Sequence, residues 1–231
     1  MEGLAEGLLA LFGTWAFLPD LWLRIRSRRV LCERRTQGGK IALTFDDGPD
    51  PRVTPLILDI LAGRGVRATF FLVARRALEH PDLVREIIKR GHEVGSHGMN
   101  HLPFWVLSPG RTRFEIREAA RCLRNLTGQV VSYFRPPWGS FNLLTYFYAK
   151  QEGQRIILWT LDSCDWFFLA PDRSIIKRVL RRVRGGSVIL FHDGRGAGRK
   201  GIALVKALPV LLEKLQEKGY APVPVGELLN V

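Results

Sequence analysis

From residue 41 onward, short apolar runs rich in branched and aromatic side chains alternate with longer stretches whose apolar positions recur at helical spacing. Runs at 41–45, 68–73, 93–95, 133–134, 156–161, 187–191 and 221–223 predict strands, each brief and most bounded by glycine, proline or polar residues. Helices are predicted between them over 51–63, 82–90, 109–126, 143–152, 172–184 and 203–218. In the first of these, Val53, Leu56, Ile57, Ile60 and Leu61 share one face, and Gly63 and Gly65 close it. Strands that alternate with helices pair in parallel, because a parallel neighbour is reached only through a crossover. The expectation is one α/β domain over residues 40–231, built on a parallel sheet or barrel.

The other bulk properties narrow the reading. A chain of 231 residues with 46% hydrophobic side chains can bury one large core, so disorder is excluded. The net charge of +13 calls for an anionic partner, such as a lipid surface or an acidic glycan. No nucleic acid is expected, since the arginines are scattered and no nucleic-acid-binding motif is present. Cys32, Cys122 and Cys164 are odd in number and far apart, which argues against a disulfide framework or a cysteine zinc site.

Residues 1–39 read differently. An uncharged apolar run at 7–19 precedes Leu21-Trp22-Leu23 and then Arg24, Arg26, Arg28 and Arg29. The run is short of the roughly 20 residues a spanning helix needs. No basic residue precedes it and no small-residue cleavage site follows, so a secretory signal peptide is a poor match. An apolar N-terminal helix is expected here, anchoring residues 4–29 at a membrane surface through Trp15, Trp22 and the arginines. That would make the protein membrane-associated or resident in the cell envelope.

The chemistry-bearing residues fall at the C-terminal ends of predicted strands. Thr44-Phe45-Asp46-Asp47-Gly48 places two carboxylates where the first strand stops. Side chains of adjacent strand residues point to opposite faces, but a turn at Gly48 would let both acids converge. His97 and His101, four apart, follow the 93–95 strand, and on a helical turn they would share one face. Two imidazoles and a carboxylate suit a catalytic divalent ion. Phe134-Arg135-Pro136-Pro137-Trp138-Gly139 forms a rigid turn carrying a permanent cation. Asp162-Ser163-Cys164-Asp165-Trp166 and Leu190-Phe191-His192-Asp193-Gly194 end two further strands with titratable groups. Taken singly each could be an ordinary turn; together they line one end of a parallel sheet, where sites of such folds are built.

These five segments, in this order, resemble the polysaccharide deacetylase family (the NodB homology domain, carbohydrate esterase family 4) over about residues 40–225. The resemblance implies a distorted (β/α) barrel of about seven strands. It implies a metal-dependent hydrolase that removes N-acetyl groups from amino sugars of a glycan or a lipid-linked saccharide and releases acetate. Asp47, His97 and His101 would be ligands of one divalent ion, zinc (Zn) first, with cobalt, nickel or manganese as alternatives. Asp46 would be the general base and His192 the general acid. Arg135 would hold Asp46 ionised, and Asp162 would orient and charge His192. Trp166 and Leu190 would wall a pocket for the acetyl methyl group, and the Trp138 amide would bind the oxyanion. Gly98 stands where the family usually has Ser or Thr, so a hydrogen bond behind the histidines is expected to be lost. Trp138 stands where Tyr is common, which reshapes the cleft. Alternatives on the same fold are an O-acetyl esterase, a small cyclic-amide hydrolase or a catalytically silent carbohydrate-binding protein.

Overall fold

The computed structural model describes residues 14–15, 38–167, 171–194 and 199–229. The expected N-terminal helix and membrane anchor lie outside the described residues, apart from Thr14 and Trp15. The Trp15 carbonyl accepts a hydrogen bond from Leu143 N at 2.8 Å, against the domain. No helix among the described residues is long and apolar enough to cross a membrane.

In chain order the elements are β1 (Lys40–Asp46), α1 (Thr54–Ala62), β2 (Thr69–Leu72), α2 (Ala74–Glu79), α3 (Pro81–Lys89), β3 (Glu93–Ser96), α4 (Pro109–Thr127) and β4 (Tyr133–Phe134). There follow α5 (Thr145–Gln151), β5 (Arg155–Ile156), β6 (Leu161–Asp162), α6 (Asp172–Arg182), β7 (Val188–His192), α7 (Arg199–Glu217), β8 (Ala221–Val223) and α8 (Val225–Leu228). Every strand pair is parallel, in the order β5-β4-β3-β2-β1-β7-β6, with β8 added along the start of β1. The sheet curls into an incomplete barrel.

β1 is central and buried after its first residue, which explains its continuous apolar run. Its alternate residues part company: Ile41, Leu43 and Phe45 join the core beneath the helices, while Ala42 joins Phe71, Tyr133, Ile157 and Val188 in a second, inner cluster. Val225 and Leu228 of α8 enter that inner cluster. The Gly226 amide donates to Glu93 at the start of β3, so α8 closes the end of the barrel away from the site.

One expectation is corrected. The strand predicted over 156–161 is two, β5 and β6, with Ile157-Leu158-Trp159-Thr160 between them. Ile157 N still bonds Phe134 O and Thr160 N bonds Val188 O, so this segment crosses from one sheet edge to the other. The helices α2 and α8 have too few residues to show a helical period, and no prediction covered them.

Candidate active site

The C-terminal ends of the strands form one rim, and a cleft of about 430 Å³ opens there. Lining it are Asp46, Asp47, His97, His101, Trp138, Asp162, Trp166, Leu190 and His192, all expected from the sequence, together with Trp159, Asp165 and Gly194. Arg135 is expected there too, and it lies beneath the cleft, fully buried.

Asp46 ends β1 with its carboxylate 4% exposed, and Arg135 Nη1 donates to its Oδ1 at 2.7 Å. Arg135 also donates to Thr44 Oγ1 at 2.8 Å, to Ile157 O at 3.0 Å and to Leu158 O at 3.1 Å. The last two carbonyls belong to the crossing segment, where strand pairing is interrupted. One guanidinium thus stitches the barrel's seam and grips Asp46, with its charge 4.1 Å above the Phe71 ring.

Asp47 follows immediately, yet its side chain reaches the same cavity. Its φ of 74° turns the chain out of the strand, which resolves the opposite-face problem. Arg76 of α2 holds this turn by donating to Asp47 O at 2.7 Å. Gly48 is required beside it, because a Cβ there would lie 2.3 Å from the Asp193 carboxylate. Asp193 is buried, and burial pushes its carboxyl up to about 7 although Thr54 Oγ1 donates to it.

His101 Nε2 is 2.7 Å and His97 Nε2 is 3.4 Å from Asp47 Oδ1. Ligand atoms of Asp47, His97 and His101 all lie within 4.8 Å of one another. The two histidines do not share a helix, as their spacing suggested. They sit in a loop after β3, with φ of 80° at Gly98 and 55° at His101, and their rings converge to 5.2 Å. His97 Nδ1 bonds Arg135 O at 2.7 Å, and a carbonyl can only accept, so Nδ1 carries a hydrogen and Nε2 is the ring atom turned towards Asp47. Burial opposes the charge on Asp47, but the hydrogen bonds from His101 and His97 outweigh it and hold the carboxyl well below the usual range. Two imidazole nitrogens converging on a carboxylate are a donor set that fits a divalent ion.

His192 ends β7 in register with Asp46. The expected partner, Asp162, makes no hydrogen bond to it. Asp162 accepts instead from Cys164 N at 2.7 Å and from the Trp166 indole at 3.2 Å, shaping its own turn. Asp165 takes the place: its Oδ1 is 2.9 Å from His192 Nδ1, and its Oδ2 accepts from His192 N at 2.8 Å. The reason is local geometry. Cys164 has φ of 60°, and the reversal sends Asp165 inward beneath His192. Burial pushes the His192 imidazole down, but the Asp165 carboxylate, with Asp47 and Asp46 behind it, raises it to about 10. Both carboxylates of the Asp-Ser-Cys-Asp segment were visible in the sequence; which one turns inward was not. Trp138, at φ of 56°, sets its indole edge-on to His101 with centroids 4.3 Å apart, and half of it is exposed at the rim.

A parallel half-barrel whose strand ends present a histidine pair, adjacent aspartates and a histidine backed by a buried aspartate has the make-up of a hydrolase. The polysaccharide deacetylase family matches residues 33–157, and the chain belongs to that family as a hydrolase of carbon–nitrogen bonds other than peptide bonds. It is 37% identical over 192 residues to the peptidoglycan-N-acetylglucosamine deacetylase of Bacillus cereus, covering 82% of this chain and 88% of that one. It is 32% identical to the chitooligosaccharide deacetylase of a Bradyrhizobium species, over 81% of this chain and 90% of the relative. Among solved structures, a peptidoglycan N-acetylglucosamine deacetylase in complex with 4-naphthalen-1-yl-N-oxidanyl-benzamide superposes with a TM-score of 0.83 at 30% identity, covering 90% of this chain and 94% of that one.

Proposed function

We propose that this chain removes N-acetyl groups from N-acetylglucosamine residues of a glycan by metal-dependent hydrolysis, releasing acetate. One observation carries the reading. Beside a two-histidine, one-carboxylate donor set stand a carboxylate and an imidazole on adjoining strand ends, the first paired with a buried guanidinium and the second with a buried carboxylate.

The chain's own residues divide the work. Asp46 Oδ1 is engaged by Arg135, so Oδ2, which faces His97 Nε2 at 3.8 Å, is the atom that accepts a proton from the attacking water. The oxygen of that water forms the new bond to the acetyl carbon, and the carbonyl oxygen takes up negative charge. The Trp138 amide donates to this oxygen. His192 Nδ1 is committed to Asp165, so Nε2–H is the proton delivered to the nitrogen as the carbon–nitrogen bond breaks. Leu190 and Trp166 border the cleft where the acetyl methyl would rest. A zinc ion held by Asp47, His97 and His101 would supply Lewis-acid polarisation and a more acidic water.

The test is acetate release from N-acetylglucosamine oligomers, peptidoglycan fragments and acetylated xylan, with and without chelator. Chelator-sensitive acetate from the amino sugars, restored by zinc, is expected. Release from xylan alone would make the protein an O-acetyl esterase. No release from any of the three, with metal bound, would turn the reading first to a lipid-linked or small-amide substrate and only then to a binding protein.

A further inference from the structure

Behind the loop that carries His97 and His101 lies a carboxylate with no part in the chemistry above. Glu115, on α4, is fully buried. Its Oε2 accepts from Met99 N at 3.1 Å and Asn100 N at 2.8 Å, and its Oε1 accepts from Asn100 Nδ2 at 2.8 Å. Arg111, one helical turn earlier, lies 2.9 Å from Oε1. Every acceptor position of the buried anion is thus taken, three of them by the residues between the two histidines.

The opposite side of the same loop is held as well. At the start of α2, Ala74 N and Arg75 N donate to Gly98 O at 3.0 Å and Met99 O at 3.1 Å. The loop's carbonyls are therefore fixed by one helix N-terminus and its amides by Glu115. The loop needs such a clamp, because it contains two residues at positive φ, Gly98 and His101, a conformation that non-glycine residues adopt at a cost. At φ of 80° the residue after His97 favours glycine, and Glu115 bonds the two residues that follow it.

We infer that Glu115 is the positioning residue of the metal site: it sets the separation of His97 Nε2 and His101 Nε2 by fixing Met99 and Asn100. The inference rests on the metal-site reading of Asp47, His97 and His101. It predicts a graded loss of zinc affinity in the purified full chain, measured with zinc alone against a chelating dye. Glu115→Leu keeps the volume and removes every acceptor, and is expected to weaken zinc binding about 10–100-fold. Glu115→Gln keeps one acceptor oxygen for the two backbone amides, and is expected to weaken it about threefold to tenfold, the worth of about one hydrogen bond.

Affinities are read at a temperature where circular dichroism shows each variant folded. A residue that merely supported the fold would lower the melting temperature and leave the zinc affinity of the folded protein unchanged. Folded Glu115→Leu or Glu115→Gln binding zinc within twofold of the parent overturns the inference. Should the leucine variant fail to fold, the glutamine variant decides alone. If the parent binds no zinc, the metal reading falls and this inference with it; if the parent binds and His101→Ala does not, only the role of Glu115 is at stake.

Discussion

Arg135→Met removes the guanidinium that joins Asp46 to the barrel seam, and the structure sets the size of the effect. Asp46 would keep a buried carboxylate without its counter-ion, and the Ile157 and Leu158 carbonyls would each lose a donor. Breaking a buried ion pair from one side costs about 3–5 kcal/mol. In a domain of this length that lowers the melting temperature by roughly 6–20 °C, at about 2–4 °C per kcal/mol. The cost has two parts: the stranded charge, and the stranded carbonyls. Asp46→Asn separates them. In the double variant no charge is left unpaired, so Arg135→Met/Asp46→Asn should be less destabilised than the sum of the single changes, by about 0.5–3 kcal/mol. The assay is urea unfolding of metal-free protein at neutral pH for all four members of the cycle. Strict additivity would refute the reasoning, because it would mean that Arg135 acts on the seam alone and that its contact with Asp46 contributes nothing.

Asp165→Asn should shift the alkaline limb of the amide pH–rate profile to lower pH by about one to three pH units, since the anion facing His192 Nδ1 is lost. The sign follows from the raised imidazole: it donates a proton only while protonated, so activity falls as pH rises through its value of about 10, and a weaker partner brings that fall earlier. An unmoved limb in initial-rate measurements would remove Asp165 from this role. Elsewhere, His92 is buried with Nδ1 accepting from Ala68 N, and burial, with Arg90 and Arg67 nearby, lowers it to about 4. Below about 6.5 the unfolded chain takes up a proton that the folded one refuses, so stability is full above that pH and declines towards pH 4, by about 3 kcal/mol at most. His92→Asn should flatten this decline in chemical denaturation across pH 4–7; equal slopes in parent and variant would count against it.

Much of the site was legible because parallel strands place their C-terminal residues on one rim, so Asp46, His97, Arg135 and His192 could be grouped before their distances were known. What escaped was decided by single backbone angles. The positive φ at Cys164 determines that Asp165, not Asp162, meets His192, and no residue type at 164 announces it. The loop histidines obeyed the i, i+4 spacing for a reason other than a helix, since Gly98 and His101 both leave the right-handed region. Glu115 was hidden in an ordinary amphipathic helix, where a buried acid looks like one more polar position until its acceptors are traced. The split between β5 and β6 was masked because Ile157 and Leu158 are as apolar as strand residues, although they serve the seam.

Asp46 and His192 are register partners on neighbouring strands, and a bare carboxylate and imidazole so placed would simply share a proton. The fold prevents this by giving each a separate buried partner of opposite sign. Asp46 Oδ1 meets the Arg135 guanidinium at 2.7 Å, and His192 Nδ1 meets the Asp165 carboxylate at 2.9 Å. Arg135 arrives from the turn after β4 and Asp165 from the turn after β6, so the two pairs are built by different parts of the barrel. Each partner also occupies the atom of its residue that faces away from the cleft, which leaves Asp46 Oδ2 and His192 Nε2 as the atoms available to substrate. An amide hydrolase needs both at once: an acceptor for the proton of water and a donor for the departing nitrogen. A site that only held a metal ion would require neither pair, and burying a guanidinium and a carboxylate on its behalf would cost stability without return.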